Sequence, residues 1–326
     1  MNSHIYSAPS NIAIIKYMGK TSTQQNLPTN PSISYTLEHL RSFVSIDVSG
    51  EPEDSWEPLT GTGFLPIELS EKGKLKFLNH LKRIKKLWGV NQNFRVRSAN
   101  NFPSDCGIAS SSSSFAALTL AAVSTFEKMN PGAHAADSLE MSKISRLGSG
   151  SSCRSFFAPW AIWKTDGAQA WQSSFKNMDH SVMLLDSSKK EVSSSDAHVR
   201  VVSSPLFIER LRNVNKRLLE LEMANKNADW NTFARLAADE FEEMHQLFET
   251  SNPPFSYRSE KTKDVLKHLH ALNRELNTSV LITMDAGNNI HIMSLTENRK
   301  DIESIEKAFP SARFINSWQM AGDRHV

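Results

Sequence analysis

The sequence predicts an α+β protein of two domains, and three observations lead there. At 326 residues the chain has room for about two domains of ~150 residues, each able to bury its own core. Apolar residues make up 39%, charged residues 22% and aromatic residues 9%, a mixture too hydrophobic for disorder and too evenly charged for a polyelectrolyte tail. The pattern also changes along the chain: short β-branched or alternating runs and Gly/Ser loops fill the first half, long helical periodicities the second.

In chain order, strands are expected over residues 11–17, 32–37, 43–48 and 94–98, each bounded by turn residues. Residues 73–88 form a basic amphipathic helix, with Phe77, Leu78, Leu81, Ile84 and Trp88 near helical spacing. Its cations (Lys74, Lys76, Lys82, Arg83, Lys85, Lys86) are most simply a solvated face, and one or two of them reaching an anion is the sharper alternative. An apolar helix follows at 115–123. A boundary near Asp179 divides the chain into 1–178 and 179–326. Beyond it come a strand at 183–185, helices at 205–224, 228–249 and 259–276, and two runs, 279–285 and 290–295, that flank an AGNN turn as a β-hairpin. A helix at 299–309 and a strand at 312–318 close the chain. Strand, helices, hairpin, helix, strand is the order of a ferredoxin-like domain.

Thirty-seven Lys plus Arg against 35 Asp plus Glu leave a net charge of +2, no footprint for general nucleic-acid or membrane binding. An anionic partner must therefore meet a local site. The longest apolar run, 115–123, falls far short of the roughly 20 residues of a membrane span, and the short run 12–15 cannot serve as a signal-peptide core. Cytoplasmic residence is the expectation. Cys106 and Cys153 sit in no zinc-ligand or redox spacing and read as small buried hydrophobes, so no metal-ligand set is assigned.

Four segments carry chemistry. NNFPSDCGIASSSSS (100–114) opens the apolar helix. Such a loop offers unpaired backbone N–H groups and the positive end of a helix dipole to a phosphate, with Ser110 and Ser111 bonding phosphate oxygens or a metal ion. It is neither a Walker A loop nor a nucleophile elbow, and five serines that merely cap a helix or form a surface loop remain the plain alternative. SRLGSGSSCRS (145–155) is a second Gly/Ser cluster, whose Arg154 suits a planar carboxylate through two parallel bonds, or else pairs with a structural Asp. Asp285 ends an apolar strand beside a tight turn, as a base or as an ordinary Asx-turn residue. NIAIIKYMGK (11–20) brings Lys16, Tyr17 and Lys20 to a strand end, suited to a diphosphate or simply solvated.

Together and in order, these segments resemble the mevalonate diphosphate decarboxylase family of the GHMP kinase superfamily. NIAIIKYMGK is similar to the family's NIAxIKYWGK, with Met18 where Trp is usual. LPTNPSISYTL (27–37) resembles LPxNxSISVTL, NNFPSDCGIASS resembles NNFPTAAGLASS, and GSGSSCRS (148–155) resembles GSGSACRS. MHQLFETSNPPFSY (244–257) and MDAGNN (284–289) resemble the family's late motifs. The resemblance implies a two-domain GHMP kinase fold: a ribosomal S5 domain 2-like, ATP-binding half at 1–178 and a ferredoxin-like half at 179–326. It implies ATP-dependent decarboxylation of mevalonate 5-diphosphate, with ATP and Mg2+ as cofactors, no nucleic acid or membrane partner, and a homodimer. Asp285 would act on the 3-hydroxyl with Lys16 close by, and Arg154 would hold the carboxylate beside Ser149 and Ser151. Tyr17, Lys20 and Ser194 would take the diphosphate, and Asn101, Pro103, Gly107, Ala109, Ser110 and Ser111 the nucleotide. The chain departs from the family at Asp105 and Cys106, where two alanines are usual, at Asn288 for a proline, and at Ala197 and His198, which replace a Gly-Met pair near the diphosphate. A kinase acting on mevalonate or phosphomevalonate without decarboxylation, and a non-catalytic metabolite-binding relative, are the competing expectations.

Overall fold

The computed structural model describes residues 4–103, 110–130, 135–185 and 191–320. The chain opens with β1 (Ile5–Ile15), a small hairpin of β2 (Lys20–Ser22) and β3 (Leu27–Pro28), and the 18-residue β4 (Ser32–Ser49). Where two strands were expected there is one. Between Ser10↔Leu37 and Pro9↔Arg41 the register with β1 jumps, so the polar stretch Glu38–His39 that reads as a break is an irregularity inside a continuous strand. Short β5 (Ser55–Pro58) and β6 (Leu65–Pro66) precede α1 (Glu71–Trp88) and β7 (Asn93–Asn100).

Helix α2 (Ser110–Met129) begins at the serines themselves and extends beyond the expected apolar stretch at both ends. It is apolar nearly all round because it packs between sheet and helices, Phe115, Leu118 and Phe126 sharing a core with Val44, Phe94 and Leu81. The second Gly/Ser cluster hides a helix, α3 (Ser138–Gly148), capped by the Asp137 carboxylate accepting from the Glu140 N–H, and leads into a 3-10 turn over Gly150–Phe156. Strands β8 (Trp160–Trp163) and β9 (Ala168–Ala170) complete a seven-stranded sheet in which β4 is flanked by β1, β7 and β8.

From β10 (Met178–Leu184) onward the chain runs α4 (Ser194–Arg200), α5 (Phe207–Lys226), α6 (Trp230–Thr250), α7 (Glu260–Glu275), β11 (Leu281–Thr283), β12 (Ile290–Leu295), α8 (Arg299–Ala308), β13 (Arg313–Asn316) and α9 (Ser317–Met320). The strands form a second sheet of order β11-β12-β10-β13, the ferredoxin-like arrangement. The two sheets share one core: Ile12, Ile14 and Ile15 of β1 pack with Val182 of β10, Val214 and Leu221 of α5 and Phe233 and Leu236 of α6. Fully buried apolar side chains of this kind each contribute about 1.5–3 kcal/mol, so the seam between the halves is held as a protein interior is. No described helix is long and apolar enough to cross a membrane.

Candidate active site

The cleft lies where β1 ends. Lys16 is buried at 2% exposure, and its backbone is fixed from three sides: its N–H donates to Glu240 Oε1 (3.0 Å), and its carbonyl accepts from Asn30 Nδ2 (3.0 Å) and Arg210 Nη2 (3.1 Å). Its ammonium donates to the Ala13 carbonyl (2.6 Å) and to Asp285 Oδ1 (2.6 Å), 269 residues away. Burial pulls the Lys16 pKa below the ordinary amine value, and Asp285 and Glu240 pull it back. Asp285 follows β11. Its carbonyl lies 3.2 Å from His245 Nε2, and since a carbonyl only accepts, that ring nitrogen carries the proton.

Arg154, on the 3-10 turn, is 3% exposed. Its guanidinium donates only to neutral oxygens: Ser34 Oγ (3.0 Å), Ser32 Oγ (2.8 Å) and Asn11 Oδ1 (3.2 and 3.3 Å). The structural Asp that would make it an ordinary ion pair is absent among the described residues. Tyr17 stands beside it, its ring 5.9 Å from the guanidinium, stacked on His198 at 4.4 Å and set edge-on against Trp163 at 4.6 Å. Burial pushes the Tyr17 phenol up, so it is a neutral donor. Gly150 permits this packing, because a Cβ there would sit 2.3 Å from the Tyr17 hydroxyl.

Farther along, Lys20 donates to Asn26 Oδ1 (2.7 Å), and burial together with Lys76 lowers its pKa to about 8. Lys16, Tyr17, Lys20, Ser111, Ser149, Ser151, Arg154, Ser194 and Asp285 all line this one cleft, joined by Lys76 and His198. Ser111 lies in the first turn of α2, its hydroxyl 3.4 Å from that of Ser149. Three residues expected at the nucleotide lie outside the lining. The Asn101 amide is spent on β4, donating to the His39 carbonyl (2.9 Å) and accepting from the Arg41 N–H (2.7 Å). Pro103 and Ser110 also do not line the cleft. Asp105, Cys106, Gly107 and Ala109 fall outside the described residues. Cys153 is a buried free thiol pushed up to about 12 by desolvation, in keeping with its reading as a small hydrophobe.

Sequence reasoning favoured a solvated face for the basic helix, with one or two of its cations reaching an anion as the sharper alternative. Lys85 is instead paired with Asp54 (2.8 Å), and Lys76 reaches the cleft. It also passed over Glu240, fully buried and bound by Arg210 (2.5 Å) and Arg217. The signal was available: Glu240 falls four residues after Leu236 and four before Met244, on the apolar face of α6.

The fold and the cleft define a two-domain GHMP-type small-molecule kinase fold, with a serine-led helix in one half and a ferredoxin-like sheet in the other. Residues 8–176 match the diphosphomevalonate decarboxylase-like N-terminal domain, and residues 181–324 match the mevalonate 5-diphosphate decarboxylase C-terminal domain. Diphosphomevalonate decarboxylase of Saccharomyces cerevisiae is 32% identical over 330 residues, covering 94% of this chain and 81% of the relative. The crystal structure of a mevalonate diphosphate decarboxylase from Legionella pneumophila is 37% identical with a TM-score of 0.89, covering 95% of this chain and 99% of that one. A further structure, MDDEF in complex with MVAPP, AMPPCP and magnesium, is 26% identical with a TM-score of 0.83 over 95% of this chain and 96% of that one. The chain belongs to the diphosphomevalonate decarboxylase family.

Proposed function

We infer that the chain catalyses the ATP-dependent decarboxylation of mevalonate 5-diphosphate to isopentenyl diphosphate, ADP, phosphate and CO2, a step of the mevalonate route to isoprenoids. The observation that carries this reading beyond family membership is Arg154, a buried guanidinium without a carboxylate partner among the described residues, in the same cleft as the Asp285–Lys16 pair and Ser111. A buried cation held only by neutral oxygens suits an incoming carboxylate.

A tertiary alcohol is a poor leaving group until phosphorylated. Asp285 orients the 3-hydroxyl and takes its proton as the oxygen attacks the terminal phosphate of ATP, while the Lys16 ammonium fixes the carboxylate. Departure of the new phosphate builds positive charge at C3, and loss of CO2 from the carboxylate held by Arg154, Ser149 and Ser151 quenches it. Tyr17, Lys20 and Ser194 take the diphosphate. Ser111 contacts the ATP phosphates, with Asn101, Pro103, Gly107, Ala109 and Ser110 around the nucleotide in the same reading. No group of three or more His, Cys, Asp or Glu able to hold a metal stands among the described residues. The Ser111 hydroxyl on the cleft wall would be the protein oxygen available to Mg2+, and the ion would supply neutralisation of phosphate charge.

Division into an ATP-binding unit at 1–178 and a ferredoxin-like unit at 179–326 belongs to this proposal, supported by the two separate sheets and the two domain matches. Cytoplasmic residence, expected from the short apolar runs, and a homodimer, implied by the resemblance, belong to this proposal, and sedimentation tests the dimer. The direct test is incubation with ATP, Mg2+ and mevalonate 5-diphosphate. Equal amounts of CO2 and ADP are expected; ADP with a stable phosphorylated acid, or neither product, overturns the reading. Asp285→Asn should lower turnover by about 10²–10⁴-fold while ATP binding is kept, and near-normal turnover removes Asp285 from its role.

A further inference from the structure

The cleft has two electrically different ends. At Lys16 the field is set by Asp285, Glu240 and Arg154; at Lys20 it is set by Lys76. The first end carries its own carboxylate. At the second, Lys20 and Lys76 face one void, and neither has an ion-pair partner among the described residues. The charged groups nearby are Arg83 and Lys72, which repel Lys76, and Asp196, which attracts it weakly. Asp196 is already bound by the Ser193 hydroxyl (2.6 Å) at the start of α4. Two ammonium groups from different elements, one on β2 and one on α1, have no reason to converge unless an anion joins them.

His198 completes this end. The residue is 7% exposed, and its Nδ1 lies 3.1 Å from the Gly19 backbone N–H. A backbone N–H only donates, so Nδ1 is bare and Nε2 carries the ring proton. Stacking on Tyr17 fixes the ring plane, and burial, with Lys20, Lys76 and Arg154 close by, keeps the imidazole neutral at pH 7. The outcome is an oriented neutral N–H in the wall of a cationic pocket, which strengthens phosphate binding without adding a third repelling charge.

Resting on the proposed function, we propose that Lys76 and His198 form with Lys20 the seat of the terminal phosphate, and that Lys76 and His198 are the residues by which this chain distinguishes a diphosphate from a monophosphate. Lys76 supplies charge from the N-terminal half and His198 a directed donor from the C-terminal half. The seat therefore exists only where the two halves meet.

Calorimetric titration of inorganic pyrophosphate and inorganic phosphate tests the seat independently of turnover, and steady-state kinetics with mevalonate 5-diphosphate and mevalonate 5-phosphate tests its use. Lys76→Met is expected to weaken pyrophosphate binding about tenfold and phosphate binding less than threefold, with a matching rise in KM for the diphosphate alone. His198→Phe keeps a ring on Tyr17 but loses the donor, and should weaken pyrophosphate about fivefold; His198→Gln, whose amide nitrogen replaces Nε2, should recover most of that loss. Equal weakening of both anions by Lys76→Met, or no change, overturns the charge role. His198→Gln no better than His198→Phe overturns the donor role. A wild-type chain that releases CO2 while its variants bind pyrophosphate normally sinks this inference and leaves the proposed function standing; one that releases no CO2 but loses pyrophosphate binding on Lys76→Met does the reverse.

Discussion

Two buried arginines approach the same segment of chain and have opposite surroundings. Arg210, on α5, is 1% exposed and reaches Glu240 (2.5 Å) and Glu243 (3.0 Å), while its Nη2 also donates to the Lys16 carbonyl. Arg154, equally buried, has Asn11, Ser32 and Ser34. Desolvating a guanidinium is costly either way. In the first case protein carboxylates offset the cost and the result is scaffold, binding the end of β1 to helices α5 and α6. In the second the charge is left for something outside the chain to neutralise. Of these two buried arginines, the one without a protein counterion is the one that points to a ligand.

The largest expected effect is on the scaffold side. Arg210→Met leaves Glu240 and Glu243 with Arg217 as their remaining cation among the described residues, and breaking a buried pair of this kind costs about 3–5 kcal/mol, read as a shift in urea midpoint with unchanged slope. Arg154→Met should reverse the pattern. The neutral oxygens it leaves, Ser32 and Ser34 hydroxyls among them, reorient or re-pair, so stability should fall by less than ~2 kcal/mol. CO2 release should fall by about 10²–10³-fold, the usual loss when a preorganised charge-stabilising donor is removed. If both variants lose stability equally, the distinction between scaffold cation and ligand-seeking cation fails here.

The same contrast marks what was legible in the sequence. Strand β1 and the β11–β12 pair could be read because their apolar runs end in turn residues; Arg154 and Asp285 stood out beside small residues or a turn, but the residues alone left structural alternatives open, and their roles came from the family resemblance. Strand β4 could not be read as one element, since its polar middle is an irregularity opposite β1, visible only once the partner is known. Helix α3 was masked by its serines and the glycine at its end. Seven cations are spread around α1, and only the tertiary packing decides that Lys76 among them lines the cleft. His198 was noticeable as a departure from the family pattern, yet its tautomer depends on the Gly19 amide, which no pattern encodes.

A smaller effect tests how tightly the two ends of the cleft are coupled through Tyr17. Gly150→Ala places a Cβ 2.3 Å from the Tyr17 hydroxyl and 3.2 Å from Trp163. Tyr17 is held between His198 and Trp163, so the phenol must shift toward the cleft. Overpacking of this kind costs about 1–3 kcal/mol. KM for the diphosphate should rise about tenfold with kcat reduced less, and a kcat loss without a KM change would separate Tyr17 from the diphosphate.

The smallest effect is a pH dependence confined to the cationic end. The Lys20 amine sits near a pKa of about 8 in the folded chain, lowered by burial and then by Lys76 from an ordinary value of 10.5. Because the unfolded chain binds that proton more tightly, Lys20 opposes folding fully below pH 8, and this opposition is relieved as pH rises from 8 toward 10.5. Anion binding has the opposite sign. A diphosphate prefers charged Lys20, so pyrophosphate affinity should hold below pH 8 and fall above it, whereas Lys16, already paired with Asp285, adds no free charge to that seat. Calorimetric titrations between pH 7 and 9.5 measure the fall, and Lys20→Arg, which stays charged throughout, should flatten it; identical profiles for the two proteins would mean that Lys20 is not the group whose charge the anion needs.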